Sequence, residues 1–329
     1  AFPIQNIMIG IAVGTGVGMN SLISRYLGEK NYEKSNRTAE TGLALAIIYG
    51  IILLILSRFL PRPFLSAQTT DENIIAYGIE YLQIVMGFSM GVFIQIFLER
   101  TLQSTGRSIF TMLTQLIGAV LNIILDPIFI FGYFGLPAMG VKGAAIATVT
   151  GQIIGALCGC FFEYKFNEEI TIKKPVLDLD IVKGIYVVGV PSMITITIQS
   201  FTIYVLNKML SEISTSAIAA LGAYFKVQSF VFMPIFGVNN GLVPIVAYNY
   251  GAKNKDRIIK TIKLAFITVT FMMIFVSAII IIFPRELLGI FSASGKMLEI
   301  GIPMLRICAL SYVFAGVSIV GTAVFQAFG

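Results

Sequence analysis

The sequence has no histidine and no tryptophan, only three cysteines, and few charges, since Asp, Glu, Lys and Arg make up 12% of the 329 residues. The lack of histidine removes the commonest metal ligand and acid–base group. Cys158, Cys160 and Cys308 lie in apolar stretches, where a thiol behaves as a small hydrophobe, so no disulfide or metal framework is indicated. The motifs GxxxxGK(S/T) and HExxH are absent too. We therefore expect neither an enzyme nor a bound cofactor.

Long apolar stretches dominate what is present. Hydrophobic residues make up 57% of the chain and the mean hydropathy is +0.88, whereas a soluble domain is about half apolar and about a quarter charged. Stretches of about 20 apolar residues, the length a helix needs to cross a bilayer, recur between short polar loops. They predict nine membrane-spanning helices, over residues 2–27, 38–60, 74–98, 108–131, 141–162, 184–207, 217–249, 261–283 and 299–328. The sequence thus predicts an all-α polytopic protein surrounded by membrane lipids.

The basic residues divide unevenly between alternate loops of this predicted arrangement. One set of alternate loops contains fifteen Lys and Arg residues and the other set contains six. Because Lys and Arg are retained on the cytoplasmic side, the richer set marks the cytoplasmic loops. The net charge of +6 is then a sign of membrane topology, and we expect no nucleic acid as a partner.

The chain repeats itself at a constant offset of 223 residues, without gaps. The matches include polar and turn residues: Gln5 with Gln228, Gly14 with Gly237, Gly18 with Gly241, Lys30 with Lys253, Asn31 with Asn254, Pro61 with Pro284 and Gly78 with Gly301. Both loops with the pattern GxKN are predicted to be cytoplasmic, so the halves have the same orientation. We predict an amino-terminal lobe over 1–163, a cytoplasmic linker loop over 164–183 and a carboxy-terminal lobe over 184–329.

The repeat also predicts what an intact protein contains. Subtracting the offset from the span at 184–207 places its partner before Ala1, and the spans at 108–162 would recur after Gly329. We therefore expect twelve helices in the intact protein, six per half. The present chain would lack the first helix and the last two, so its lobes would contain helices 2–6 and 7–10.

Asp126 is a candidate functional residue because ionisable groups inside a membrane are costly. It lies well inside a predicted span, in LNIILDPIFIF, with Asn122 four residues earlier and on the same helix face. Pro127 removes a backbone donor, which leaves a carbonyl oxygen free to join a site. Carboxylate, amide and carbonyl oxygens suit Na⁺, and a buried carboxylate also suits reversible protonation. The alternative is that Asp126 only packs against a neighbouring helix.

The remaining polar residues inside the spans have two interpretations each. Lys226 either contacts substrate in a watery cavity or extends toward the outer surface. Glu99 and Arg100 are interpreted as a local structural ion pair. The glutamines are either substrate contacts or interhelical hydrogen-bond partners: Gln5, Gln199 and Gln228.

Several segments together resemble the MATE family of multidrug and toxic-compound exporters. They are a glycine-rich helix that leads to GEKN or GAKN, and LNIILDPIFIF followed by GAAIAT. The resemblance implies two six-helix bundles around a central cavity that opens alternately to each side, driven by inward movement of Na⁺ or H⁺. It places the amino-lobe cation site on Asn122, Asp126 and Thr148, with a further acid on a first helix that this chain lacks.

The carboxy-terminal lobe departs from one branch of that family. Where the NorM-type branch has a glutamate this chain has Gln199, and where the branch has an aspartate the segment SYVFAGVSIVGTAVFQ contains no acid. The resemblance therefore implies that the coupling cation binds in the amino-terminal lobe, around Asp126.

These observations predict a monomeric, cation-coupled antiporter of the bacterial cytoplasmic membrane. It would export amphipathic or cationic drugs or metabolites by alternating access, with Na⁺ or H⁺ as the coupling ion. One alternative is a flippase for a lipid-linked precursor, which would be expected to have several cations in its cavity, where the sequence offers Lys226. A second alternative is a non-transporting membrane receptor or scaffold.

Overall fold

The structure, a computed structural model, describes residues 2–211, 215–291 and 295–329. Within these ranges the described side chains exclude those of Phe2, Gln199, Ser200, Phe201, Tyr204, Asn207, Lys208, Ser211 and Thr215. All regular secondary structure in these ranges is helical. The predicted all-α fold class is confirmed.

Twelve α-helices follow one another along the described residues. They are α1 (Phe2–Gly28), α2 (Tyr32–Phe59), α3 (Pro61–Ser66), α4 (Glu72–Gly87), α5 (Met90–Ser104), α6 (Ser108–Phe131), α7 (Gly140–Phe166), α8 (Leu179–Ser211), α9 (Thr215–Gly251), α10 (Lys255–Ile282), α11 (Pro284–Gly289) and α12 (Lys296–Phe328). Eight of them are long and apolar enough to span a membrane, and the bent pair of α4 and α5, counted as one span, gives a ninth.

The third span differs from the single helix predicted over 74–98. Helices α4 and α5 are bent by 44° relative to each other, and the break lies at Phe88 and Ser89. Gly87 and Gly91 flank the break, and glycine and serine together are a common cause of sharp kinks because they weaken helical geometry. The apolar pattern is continuous across the break, so hydropathy does not reveal it.

The chain forms two compact units, one of residues 1–196 with Gly329 and one of residues 197–328. In the first unit Met19, Ile23 and Phe97 belong to one apolar core. In the second unit Ile235 and Val269 belong to another. The lobe boundaries predicted from the repeat stay a prediction.

The two GxKN loops have the same backbone geometry. Lys30 and Lys253 both have positive φ, at 58° and 56°. The side-chain oxygen of Asn31 accepts a hydrogen bond from the Lys34 amide at 3.1 Å, and Asn254 does the same at the start of α10. An asparagine cap satisfies one of the free amides at a helix N-terminus. The repeat therefore reproduces the turn as well as the residues.

A close helix contact recurs at the same offset. A Cβ built on Gly78 would lie 2.7 Å from Leu65 Cδ1, and one built on Gly301 would lie 2.8 Å from Leu288 Cδ1. In each half a short helix that begins with proline, α3 or α11, thus packs on the following helix at a glycine. Proline suits the first turn because its missing amide has no partner there.

The polar segment between α7 and α8 packs on the N-terminal part of α2. The Lys173 amide donates to Glu40 Oε1 at 3.2 Å, and Arg37 Nε donates to Asp178 Oδ2 at 3.5 Å. Ile170, which belongs to the segment, is buried in the same apolar core as Ala39 of α2. The predicted linker is therefore held against the first unit by both hydrogen bonds and apolar contact.

The glycines of α1 permit a close approach to the first part of α8. A Cβ on Gly14 would lie 2.8 Å from the Gly189 carbonyl oxygen, and one on Gly18 would overlap the Ile185 carbonyl. Gly10, on the same face, leaves ordinary room, because the nearest atom would be 3.7 Å away. Small residues permit such approaches between membrane helices, and Gly14 and Gly18 have this packing role.

Replacing Gly18 with alanine should destabilise the first unit by about 1–3 kcal/mol, the usual cost of overpacking. The added methyl group would push α1 away from the Ile185 carbonyl. Gly10→Ala is the matched control and should leave the melting temperature nearly unchanged. Thermal unfolding of the two purified variants in detergent measures the difference. Equal melting temperatures would contradict the close approach.

Candidate cation site

The candidate site lies between α6 and α7, which approach closely at glycines. A Cβ on Gly118 would lie 3.1 Å from the Gly151 carbonyl oxygen, and one on Gly151 would lie 2.7 Å from the Gly118 carbonyl oxygen. Nearer the loop that joins the helices, Gly143 lies against the Phe129 carbonyl in the same way. Because the backbones touch, short polar side chains on the two helices come within reach of each other.

Asn122, Asp126 and Thr148 lie together in this interface. Asn122 Nδ2 donates to Asp126 Oδ1 and to Thr148 Oγ1, each at 3.4 Å. Thr148 Oγ1 in turn donates to the Ala144 carbonyl at 3.0 Å. All three side chains are half-buried. The structure thus brings together the three residues selected from the sequence, while their role in binding a cation stays a prediction.

The geometry leaves acceptor oxygens available around Asp126. Its Oδ2 accepts no hydrogen bond from the described residues. Helix α6 continues through Pro127 to Phe131. Since proline has no amide hydrogen, the Ile123 carbonyl lacks its usual partner four residues on. Asp126 lies five residues before the end of α6, about 7.5 Å from the end predicted to face outward.

The glutamines have different surroundings. Gln5 Nε2 donates to Tyr81 Oη at 3.0 Å and so joins α1 to α4, as expected for an interhelical hydrogen bond. Gln228 is half-buried in α9. The side chain of Gln199 lies outside the described residues. None of the three is placed with Asp126 by the contacts of the described chain.

Lys226 is exposed on α9, and its Nζ lies 5.7 Å from the centre of the Phe291 ring. That distance is within the range of a cation–π interaction. Phe291 precedes α12, at the end predicted to face outward. The contact agrees with a lysine that extends toward the outer surface.

Two charged residues in the spans have contacts that the sequence analysis did not anticipate. Glu99 is 5% exposed, and its hydrogen bonds come from neutral donors of α5 and α6 rather than from Arg100. Arg306 of α12 donates from Nε to the Ile281 carbonyl at 3.2 Å, which is one of the last carbonyls of α10. Arg306 could have been found by counting basic residues. Of the 23 Lys and Arg residues, it and Lys226 are the two that were assigned to neither set of loops.

The second unit contains an apolar cavity of about 450 Å³ between α9, α10 and α11. Its wall includes aromatic and methionine side chains: Phe230, Phe291, Met272 and Met273. Thioethers are flexible and adapt to guests of different shape. A cavity of this size falls within the range of ligand sites in proteins.

Comparison with known proteins agrees with this architecture. The MatE family model matches residues 1–128 and 191–329. Multidrug export protein MepA of Staphylococcus saprophyticus is 28% identical over 331 residues, which cover 99% of this chain and 72% of that protein. MepA of Staphylococcus aureus strain N315 has the same identity and coverage.

Solved structures show the same fold. The outward-facing conformation of a multidrug resistance MATE family transporter of the MOP superfamily superposes with a TM-score of 0.92 at 24% identity, covering the whole chain and 73% of that structure. A MOP superfamily transporter from Pyrococcus furiosus superposes with a TM-score of 0.90 at 23% identity, covering 99% of the chain and 73% of that structure.

The family model covers most of the chain in two segments, and the whole of this chain superposes on the fold of a known member. The resemblance inferred from the sequence is thereby confirmed, and the chain is a transporter rather than an enzyme. It belongs to the MATE family of multidrug efflux transporters and is a multi-pass protein of the bacterial plasma membrane.

Proposed function

We propose that this chain is part of a cation-coupled antiporter in which Asp126 binds the coupling cation and Asn122 and Thr148 complete its site. The observation on which the proposal depends is the meeting of these three side chains between α6 and α7. An intramembrane carboxylate that faces another helix and has one oxygen without a hydrogen bond from the described residues is a suitable ligand for a cation.

The site is suited to a small monovalent cation. A half-turn of the Asn122 amide would present its oxygen in place of its nitrogen, so that amide, hydroxyl and carboxylate oxygens would face one point. Among the described residues no group of three or more His, Cys, Asp or Glu side chains could hold a metal ion. A single carboxylate balances one positive charge, so the coupling ion is Na⁺ or H⁺.

The cation would act by shifting a conformational equilibrium. A ligand changes the populations of two states only through a difference in its affinity for them. A cation bound jointly by Asp126 and Asn122 of α6 and by Thr148 of α7 would favour the state in which these side chains are closest together. Uptake from the outside and release to the cytoplasm would then drive export of substrate.

The substrates are proposed to be amphipathic or cationic drugs or metabolites. The curated relatives are named as multidrug export proteins. The apolar cavity with its methionine and phenylalanine wall would accept varied apolar groups. The transporter is proposed to act as a monomer among membrane lipids.

Asp126→Asn should abolish cation-driven efflux while the protein still folds, because the amide keeps the shape of the side chain and loses its charge. Efflux of a fluorescent organic cation from cells that express the transporter measures the loss. Asp71→Asn is the matched control, since Asp71 caps α4 in an exposed loop and should leave efflux intact. Efflux of the Asp126→Asn variant at the wild-type rate would refute the assignment.

Thr148→Val should lower the affinity for the coupling cation by about 10–100-fold, the usual effect of removing a supporting oxygen. Thr150→Val, two residues along α7 and on another helix face, is the control. Substrate efflux from reconstituted vesicles should be measured against cation concentration, with Na⁺ and H⁺ gradients imposed separately. The coupling ion is the one whose half-saturation concentration for efflux is higher in Thr148→Val than in the wild type. If Thr148→Val and Thr150→Val gave the same dependence of efflux on cation concentration, a role for Thr148 would be contradicted.

A further inference from the structure

A buried carboxylate, Glu99 of α5, contacts α6, the helix that contains Asp126. Its Oε2 accepts from Gln115 Nε2 at 2.8 Å. Its Oε1 accepts from Gln95 Nε2 at 3.0 Å and from Thr114 Oγ1 at 3.4 Å. At 5% exposure it is a deeply buried acid, and its hydrogen-bond donors are an α5 amide and an amide and a hydroxyl of α6.

One face of α6 connects the two acids. Thr111, Gln115, Asn122 and Asp126 follow one another at intervals of four, seven and four residues, and such intervals place them on one helix face. Gln115 contacts Glu99 near the cytoplasmic end, and Asn122 contacts Asp126 near the outer end. Gln115 and Asp126 are about 16 Å apart along the helix axis.

Gln95 lies beside the glycine contact of α6 with α7, which falls between the two acids along α6. A Cβ on Gly118, midway along the polar face, would lie 3.9 Å from Gln95 Nε2. A Cβ on Gly155 of α7 would lie 2.9 Å from the same atom. The Gln95 amide therefore lies between the helices, next to the carbonyls at which they meet, and it also contacts Glu99.

Holding helices together does not by itself require an acid at this position. Burial of a charge costs free energy, and neutral or apolar groups of similar shape stabilise as well or better. The charge of Arg100 on α5 acts on the Glu99 carboxylate, and α7 contains another buried acid, Glu163. Arg100 Nη1 donates to Gln103 Oε1 at 2.8 Å, and Glu163 accepts from Asn167 Nδ2 at 2.8 Å. Neither of these hydrogen bonds involves the Glu99 carboxylate.

We propose that Glu99 is a second binding site for the coupling cation, on the cytoplasmic side of Asp126, which the cation occupies before it leaves for the cytoplasm. The inference rests on the proposed function, since it requires a cation that enters at Asp126. After a half-turn of the Gln95 amide, Glu99, Gln95 and Thr114 would supply carboxylate, amide and hydroxyl oxygens, the same set of groups as the outer site. A Na⁺ ion or a proton is bound by one carboxylate and released from it, so charge balances at each step.

The test compares three variants with the wild type in liposomes. Glu99→Gln removes the charge but keeps an acceptor and the shape. Gln115→Leu removes the 2.8 Å hydrogen bond but keeps the carboxylate. Glu40→Gln is the matched control, because Glu40 is also a buried acid of this unit but bonds the linker segment instead of α6. Each sample is assayed for substrate affinity, melting temperature, substrate efflux and movement of ²²Na⁺ or H⁺.

If Glu99 binds the cation, Glu99→Gln should lower cation-driven efflux and the accompanying cation movement by about tenfold or more. Its substrate affinity and melting temperature should stay at wild-type values. Gln115→Leu should retain more efflux than Glu99→Gln, and Glu40→Gln should behave as the wild type.

Two results would overturn the inference. One is wild-type efflux and cation movement in Glu99→Gln. The other is a Gln115→Leu variant that loses as much efflux as Glu99→Gln together with a fall in melting temperature in both, which would show that Glu99 only holds α6 in place. Failure of the wild type to couple efflux to either gradient would instead refute the proposed function, so the two failures are distinguishable.

Discussion

The absence of water in the bilayer core is the constraint on which the rest of this structure depends. Polar groups there must find partners within the protein, because each unsatisfied one costs several kcal/mol. Helices satisfy their own backbones, so the remaining polar side chains are sorted to interfaces between helices. Gln5 meets Tyr81 between α1 and α4, and Asn122 meets Thr148 between α6 and α7. Polar chemistry is therefore concentrated at these interfaces.

Glycine determines where such interfaces are tight enough for short side chains to meet. At Gly118 and Gly151 the backbones of α6 and α7 are in contact, which brings a threonine hydroxyl within reach of an asparagine amide. The same device at Gly18 holds α1 against the beginning of α8. The candidate cation site and the packing of the unit thus share one physical cause, and a larger residue at such a position would disturb both.

Much of the candidate site could be predicted from the sequence, because an aspartate in an apolar helix is rare and a spacing of four residues defines a helix face. Asn122 and Asp126 follow from that rule alone, whereas Thr148 required the likeness to a family, since it lies on another helix. Glu99 was interpreted as a neighbour of Arg100 because only local partners are visible in a sequence. Its actual donors on α6 lie 15 and 16 residues away, beyond any helical periodicity.

The sequence by itself determined that the chain is helical and crosses a membrane and that its halves repeat one pattern, and it predicted which loops are cytoplasmic. These properties can be read from the composition, from the distribution of charge and from the ungapped offset. Their physical causes are the bilayer, which selects apolar helices, and local turns such as those at Lys30 and Lys253. Only the tertiary structure decided the bend between α4 and α5 and the placing of Glu99 against α6. Both depend on which helices meet and how closely, and contacts between distant segments leave no period in the sequence.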